Sequence, residues 1–131
     1  MKILLAATGL LLSLASCSVS VPGIKSVNAN EFEKLLQTGN IQLLDVRTAE
    51  EFAQGHIPGA TNIDVQQPDF LEKAQAALSH KRIVGIYCRS GKRSMRGAEI
   101  LNKAKFTVVN LQGGIIEWQD AQKVTEEWKN P

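Results

Sequence analysis

The 131-residue chain is 44% hydrophobic and 21% charged, an ordinary globular composition with room for one compact domain and no second. Its formal net charge of +2 arises from 15 Lys and Arg against 13 Asp and Glu, without the basic stripe that nucleic acid demands. The histidines, His56 and His80, and the cysteines, Cys17 and Cys88, lack the close spacings that build zinc or iron sites, so neither a metal nor another cofactor is implied.

Residues 1–16 read as an export signal. Lys2 supplies a positive start, and Ile3 to Leu14 is an apolar run as long as a signal-peptide core and too short for a comfortable membrane span. Its end, Leu14-Ala15-Ser16-Cys17, resembles a bacterial lipobox, in which the cysteine is lipidated and becomes the mature N-terminus. That resemblance makes Cys17 a lipid attachment site. It implies a protein tethered to a membrane of the bacterial cell envelope, facing the periplasm, and the outer membrane where there is one, since Ser18 and not aspartate follows. The alternatives are a plain signal with release of soluble protein, or, without lipidation, a Cys17–Cys88 disulfide. Lipidation would leave Cys88 as the sole thiol.

Residues 17–23, with Pro22 and Gly23, read as anchor and linker, and 24–131 as the domain. Ile24 to Val27 is a strand candidate. Asn28 fits a helix N-cap with Glu31 three residues later, and the helix, with Phe32, Leu35 and Leu36 inward, stops at Gly39. Ile41 to Val46 is a strand. Thr48-Ala49-Glu50-Glu51 is a capping-box pattern for a short helix before the Gly55 to Ala60 loop, with Thr61 to Asp64 extended after it. Pro68 and Asp69 suit a first helical turn, and Phe70, Leu71, Ala74, Ala77 and Leu78 supply the apolar side. Ile83 to Tyr87 is an interior strand, Ser94 to Ala104 a helix with Met95, Ala98 and Leu101 at helical spacing, and Phe106 to Leu111 a last strand. Gly113-Gly114 then turns into a short helix carrying Trp118. Strands alternating with helices predict an α/β fold whose mainly parallel sheet is covered on both faces.

Cys88 falls in the turn between the Ile83–Tyr87 run and the helix after it. Backbone N–H groups of such a loop and helix start point at the sulfur, and Arg89, Lys92, Arg93 and Arg96 add positive charge. An ordinary thiol, with a pKa of ~8.5, is only a few per cent ionised near neutrality, and both influences favour the thiolate. The same cradle suits an anionic substrate, so one loop would activate the nucleophile and bind what it attacks. An inert core cysteine needs neither a glycine nor clustered cations beside it.

The segment Cys88-Arg89-Ser90-Gly91-Lys92-Arg93-Ser94 resembles the active-site loop of the rhodanese-like sulfurtransferases, in which a cysteine opens a six-residue loop ending in arginine. Other strings of that family follow in the same order: Asp45-Val46-Arg47, Glu50-Glu51-Phe52, Gly55 to Ala60 with Asn62-Ile63, and Gly113-Gly114 with Trp118. The resemblance spans roughly residues 24 to 120. It implies a three-layer rhodanese-like domain in which Cys88 is the nucleophile and carries sulfur as a persulfide. Arg89, Ser90, Gly91, Lys92, Arg93 and Ser94 would bind substrate: their amides cradle the persulfide, and Arg89, Lys92 and Arg93 orient an anionic donor such as thiosulfate. The implied acceptor is cyanide or a thiol, with a protein sulfur-relay partner as a further possibility. One departure is Lys105, where the family commonly ends the helix on a left-handed glycine.

Asp45 and Arg47, at a predicted strand end, read as an ion pair supporting the loop. His56, in a turn with Pro58, reads as structural, and Trp118 as packing. Two other functions compete. Related cell-cycle phosphatases place one more residue between cysteine and arginine to surround a phosphate, whereas here arginine stands at 93 and serine at 94. Noncatalytic rhodanese-like modules of envelope stress usually lose the cysteine that this chain keeps.

Overall fold

The structure, a computed structural model, describes residues 23–129, so the export signal and Cys17 lie outside the described residues. The strands β1 (Ile24–Val27), β2 (Ile41–Asp45), β3 (Thr61–Asn62), β4 (Ile83–Tyr87) and β5 (Val108–Leu111) alternate with the helices α1 (Ala29–Gln37), α2 (Ala49–Gln54), α3 (Phe70–Ala77), α4 (Lys92–Lys103) and α5 (Gly114–Asp120). They form one sheet in the order β1-β5-β4-β2-β3, with every neighbouring pair parallel. The α/β reading therefore holds, with the sheet wholly rather than mainly parallel.

Local chemistry sets the helix starts. The Asn28 side chain accepts the Glu31 N–H at 2.9 Å, and at α2 the Thr48 hydroxyl accepts the Glu51 N–H while Glu51 accepts the Thr48 N–H, a complete capping box. Two starts differ from the sequence expectation. Helix α3 begins at Phe70 instead of Pro68, because Phe70 N–H closes a turn on Gln67 O at 3.2 Å that holds Pro68 and Asp69 ahead of the helix. Helix α4 begins at Lys92, two residues before Ser94, because Gly91 at φ +101° turns the chain into the helix within the loop itself. The strands are shorter than their apolar runs: Val46, Ile63 and Phe106 are buried but lie outside the ladder. Lys105 occupies the left-handed conformation (φ +74°) expected of a glycine after α4.

Alternation along the strands builds two cores. Val84, Ile86 and Cys88 face α3 and α4, packing with Leu44, Phe70, Ala98 and Leu101. Tyr87 faces the opposite way, with Leu43, Phe32 of α1 and Ile115 and Trp118 of α5. Phe32 and Trp118 meet edge-on with centroids 6.4 Å apart, and Trp118 Nε1 donates to Val124 O at 2.8 Å, which seats the chain after α5. Trp118 is a packing residue, as its sequence context indicates.

Phe32 is 1% exposed, so Phe32→Ala empties a position both helices share. The expected loss is about 3–5 kcal/mol, read as a lower urea midpoint at unchanged slope.

Candidate active site

The parallel sheet delivers β2 and β4 to one edge with their C-terminal residues side by side, Asp45 opposite Tyr87, and the chain leaves β4 directly into Cys88. Cys88 is buried and its thiol is free of any disulfide. Its Sγ accepts the Gly91 N–H at 3.0 Å, so the loop curls round the sulfur. The first bond of α4 runs from Met95 N–H to Gly91 O at 3.2 Å, which leaves the amides of Lys92, Arg93 and Ser94 ahead of the helical ladder at its positive end.

The turn from β5 into α5 clamps this loop from behind. Ile115 N–H donates to Cys88 O at 2.9 Å and Ile116 N–H to Arg89 O at 3.2 Å. The approach is too close for side chains: a Cβ on Gly91 would lie 2.1 Å from Gln112 O, and one on Gly114 2.3 Å from Arg89 O. Glycines 91 and 114, both at positive φ, are therefore the two halves of one backbone contact.

The predicted loop residues divide by environment. Arg89, Ser90 and Lys92 are exposed beside the sulfur, whereas Ser94 is buried and its hydroxyl donates to Gly91 O at 3.0 Å, bracing the turn. Arg93 departs from its expected placement facing a donor. Its guanidinium forms a bidentate pair with Glu51 of α2, at 2.7 and 2.8 Å. The Glu51 hydrogen bond raises the pKa of Arg93, and the Arg93 hydrogen bond holds the Glu51 carboxyl down at about 2, aided by the Thr48 amide against the opposing effect of burial. Glu51 thus caps α2 and ties it to the loop. Its capping role is visible in sequence, but its second role joins residues 42 apart and has no local signal.

Asp45 and Arg47 are brought together, both buried. Arg47 Nε donates to both Asp45 oxygens (3.0 and 3.1 Å), one terminal nitrogen donates to Oδ2 at 2.7 Å, and that nitrogen also reaches Gly55 O at 2.7 Å. Burial lowers the pKa of Arg47, but the hydrogen bond and charge of Asp45 outweigh it and leave it raised. Tyr87, which sequence reasoning left as an ordinary strand residue, completes the group: its hydroxyl accepts the Ile57 N–H at 3.0 Å and bonds Asp45. Burial, then the Asp45 charge, push the Tyr87 phenol far above its ordinary range. This network lies on the sheet face opposite the Cys88 side chain, so it holds the strand end that presents the cysteine.

His56 is buried, stacked on Phe52 at 3.7 Å; Nδ1 donates to Phe52 O at 2.8 Å and Nε2 lies 3.3 Å from Glu126 Oε1. Nδ1 thus ties the ring to α2 while Nε2 faces the chain after α5, which fits the structural role read from its turn. An open cleft of about 320 Å³ runs beside the loop, lined by Arg47, Glu51, Gln54, Arg89, Ile115 and Gln119 among others.

A family model described as the rhodanese-like domain matches residues 28–121. The chain is 38% identical over 91 residues to a putative sulfurtransferase, YtwF, of Bacillus subtilis, covering 70% of this chain and 85% of that protein. It is 36% identical over 103 residues to the chloroplastic thiosulfate sulfurtransferase 16 of Arabidopsis thaliana, covering 71% and 85%. Among solved structures, a rhodanese-like domain protein of Staphylococcus aureus is similar with a TM-score of 0.69 at 33% identity, over 80% of this chain and 99% of that one.

The Glu51–Arg93 pair carries a pH signature. The folded Glu51 carboxyl lies below its ordinary 4.5, so the pair's stabilisation is fully present above that value and is lost as pH falls towards about 2. Glu51→Gln should lower the melting temperature at neutral pH, and the difference from the parent should shrink across that acid window. A difference that stays constant down to the lower limit would contradict the pairing.

Proposed function

The chain belongs to the rhodanese-like domain family, and from that membership we propose that it is a sulfurtransferase moving a sulfane sulfur through a persulfide on Cys88. The observation that carries this reading is a free Cys88 sulfur that heads the loop and accepts the Gly91 N–H at 3.0 Å. The similarity to proteins named sulfurtransferases supports it at the level of reaction class.

The cycle has two halves. The Cys88 thiolate attacks the outer sulfur of thiosulfate; a new S–S bond forms, the donor's S–S bond breaks, and its electron pair leaves with sulfite. Cyanide or a thiol then attacks the outer sulfur of the persulfide, and the electron pair of the broken bond restores the thiolate. No external oxidant or reductant enters. The exposed cations Arg89 and Lys92 draw the anionic donor in, and the amides ahead of α4 stabilise negative charge on the transferred sulfur. Arg93, satisfied by Glu51, holds the loop's shape, while Asp45 and Arg47 hold the strand end beneath it. A protein thiol could replace the small acceptor by the same exchange.

From the apolar run 3–14 and the Leu14-Ala15-Ser16-Cys17 string we also infer export and lipidation at Cys17, with the domain on the bacterial envelope.

Intact-protein mass spectrometry tests the chemistry: thiosulfate adds one sulfur to the parent, cyanide removes it, and Cys88→Ser shows neither change while keeping its melting temperature. A parent that gains no sulfur would support a noncatalytic domain. Separately, membrane fractions of expressing bacteria should hold an N-terminal peptide lipidated at Cys17, and Cys17→Ser should release the protein. An unmodified Cys17 would refute the anchor without touching sulfur transfer.

A further inference from the structure

Because the strands run one way, the active loop lies at one end of the sheet, and the connections at residues 38–40, 78–82 and 104–107 gather at the other with the entry at Gly23. Hydrogen bonds join these segments into one face. Asn102 Nδ2 donates to Gly23 O at 3.2 Å, His80 Nε2 to Ala104 O at 3.0 Å, Arg82 to Gly39 O at 3.3 Å, and Gln42 Nε2 to Ser79 O at 2.7 Å. The His80 ring also stacks on Phe106 at 3.8 Å.

The charge on this face has one sign. Lys25, Lys81, Arg82, Lys103 and Lys105 are all exposed, and residues 22–25, 37–42, 78–83 and 102–107 contain no Asp or Glu. Glu99, one turn before Lys103 on α4, and Asp45, at the far end of β2, are the nearest acids along the chain. At the active end the cations divide: Arg93 is paired with Glu51 and Arg47 with Asp45, whereas Arg89 and Lys92 are exposed. Lys105 adds an independent observation, since it holds a cation at this end in a left-handed backbone (φ +74°) that glycine adopts without strain.

Position in the chain says what such a face meets. Residues 3–14 are an apolar run, and only residues 18–22 separate Cys17 from Gly23, a reach of roughly 20 Å at full extension. A tether at Cys17 would therefore keep the basic end within roughly 20 Å of the headgroups, from where it can enter the range of about 10 Å over which surface charges act. Cys88 lies beyond the far end of β4, displaced by about 16 Å at a strand rise of ~3.3 Å per residue.

We propose that Lys81, Arg82, Lys103 and Lys105 form a docking face for anionic phospholipid headgroups, which turns the Cys88 loop away from the membrane towards soluble donors and acceptors. The inference goes beyond sulfur transfer and does not depend on it, but its choice of a lipid surface rests on the proposed export and lipidation at the N-terminus.

The test uses the full chain on vesicles of phosphatidylcholine alone or in equal mixture with phosphatidylglycerol, with lysine acetylation followed residue by residue by mass spectrometry. Lys81, Lys103 and Lys105 should react several-fold more slowly on the mixed vesicles, Lys92 should not change, and high salt should erase the difference. Binding to the mixed vesicles alone, with that protection, supports the face even if the tether fails. Equal acetylation on both vesicles, or binding to neither, overturns it. So does an equal protection by an oligonucleotide on neutral vesicles, which would mark a nucleic-acid site. The Lys81→Glu/Lys103→Glu variant should lose the phosphatidylglycerol dependence while keeping sulfur transfer to cyanide. Lys105→Gly should melt at a higher temperature, by relief of the backbone, and yet protect Lys103 less on mixed vesicles; an unchanged protection would count against the face.

Discussion

The carbonyls of Cys88 and Arg89 are held by the first free amides of α5, at 2.9 and 3.2 Å, and nearly everything in the site follows from that contact. With its carbonyls turned back towards α5, the loop points amides the other way, and Gly91 N–H reaches the sulfur. The contact needs two backbones to approach without side chains between them, which explains both the glycine inside the loop and Gly114 far along the chain. A helix N-terminus is donor-rich, so α5 can satisfy these carbonyls while α4 leaves its own amides ahead of its ladder.

Around this clamp the fold distributes charge in two different ways. Asp45 and Arg47 are both buried, an arrangement that is costly in desolvation and tolerable because the guanidinium also reaches Gly55 O and the carboxylate also accepts the Arg47 backbone N–H and meets the Tyr87 hydroxyl. Removing one member would leave the other uncompensated in the core, so the group locks β2, β4 and the end of α2 into one geometry. Glu51 and Arg93 are partly exposed, and their bidentate pair fastens α2 to the loop from the solvent side. With Arg93 neutralised internally by Glu51, Arg89 and Lys92 are the loop cations left exposed. The cations of the loop are thus divided between those that shape it and those that face outward, a division that their spacing in the chain does not reveal.

The two ends of the parallel sheet complement each other. Strand C-termini supply the loops that make a site, as in other open α/β sheets. The helix-to-strand connections lie at the other end, and here they carry exposed cations beside the entry at Gly23. A lysine in the left-handed position after α4 fits this pattern better than it fits the turn.

Local rules were sufficient for much of this. Asn28 and the Thr48/Glu51 box announce their helices because a cap satisfies amides within the same turn, and the run at Ile83 announces its strand because burial on both faces demands apolar side chains throughout. Element order, the turn around Cys88 and the α/β class were legible for the same reason. The start of α4, the engagement of Ser94 with Gly91, the capture of Arg93 by Glu51 and the recruitment of Tyr87 beneath Asp45 were not. Each depends on where a side chain or carbonyl meets a segment brought beside it by the fold. Sequence alone determined which residue heads the loop between β4 and α4 and which elements flank it, since those are properties of neighbours along the chain. Only the tertiary structure decided which cations remain free, because a charge is committed or available according to what packs against it.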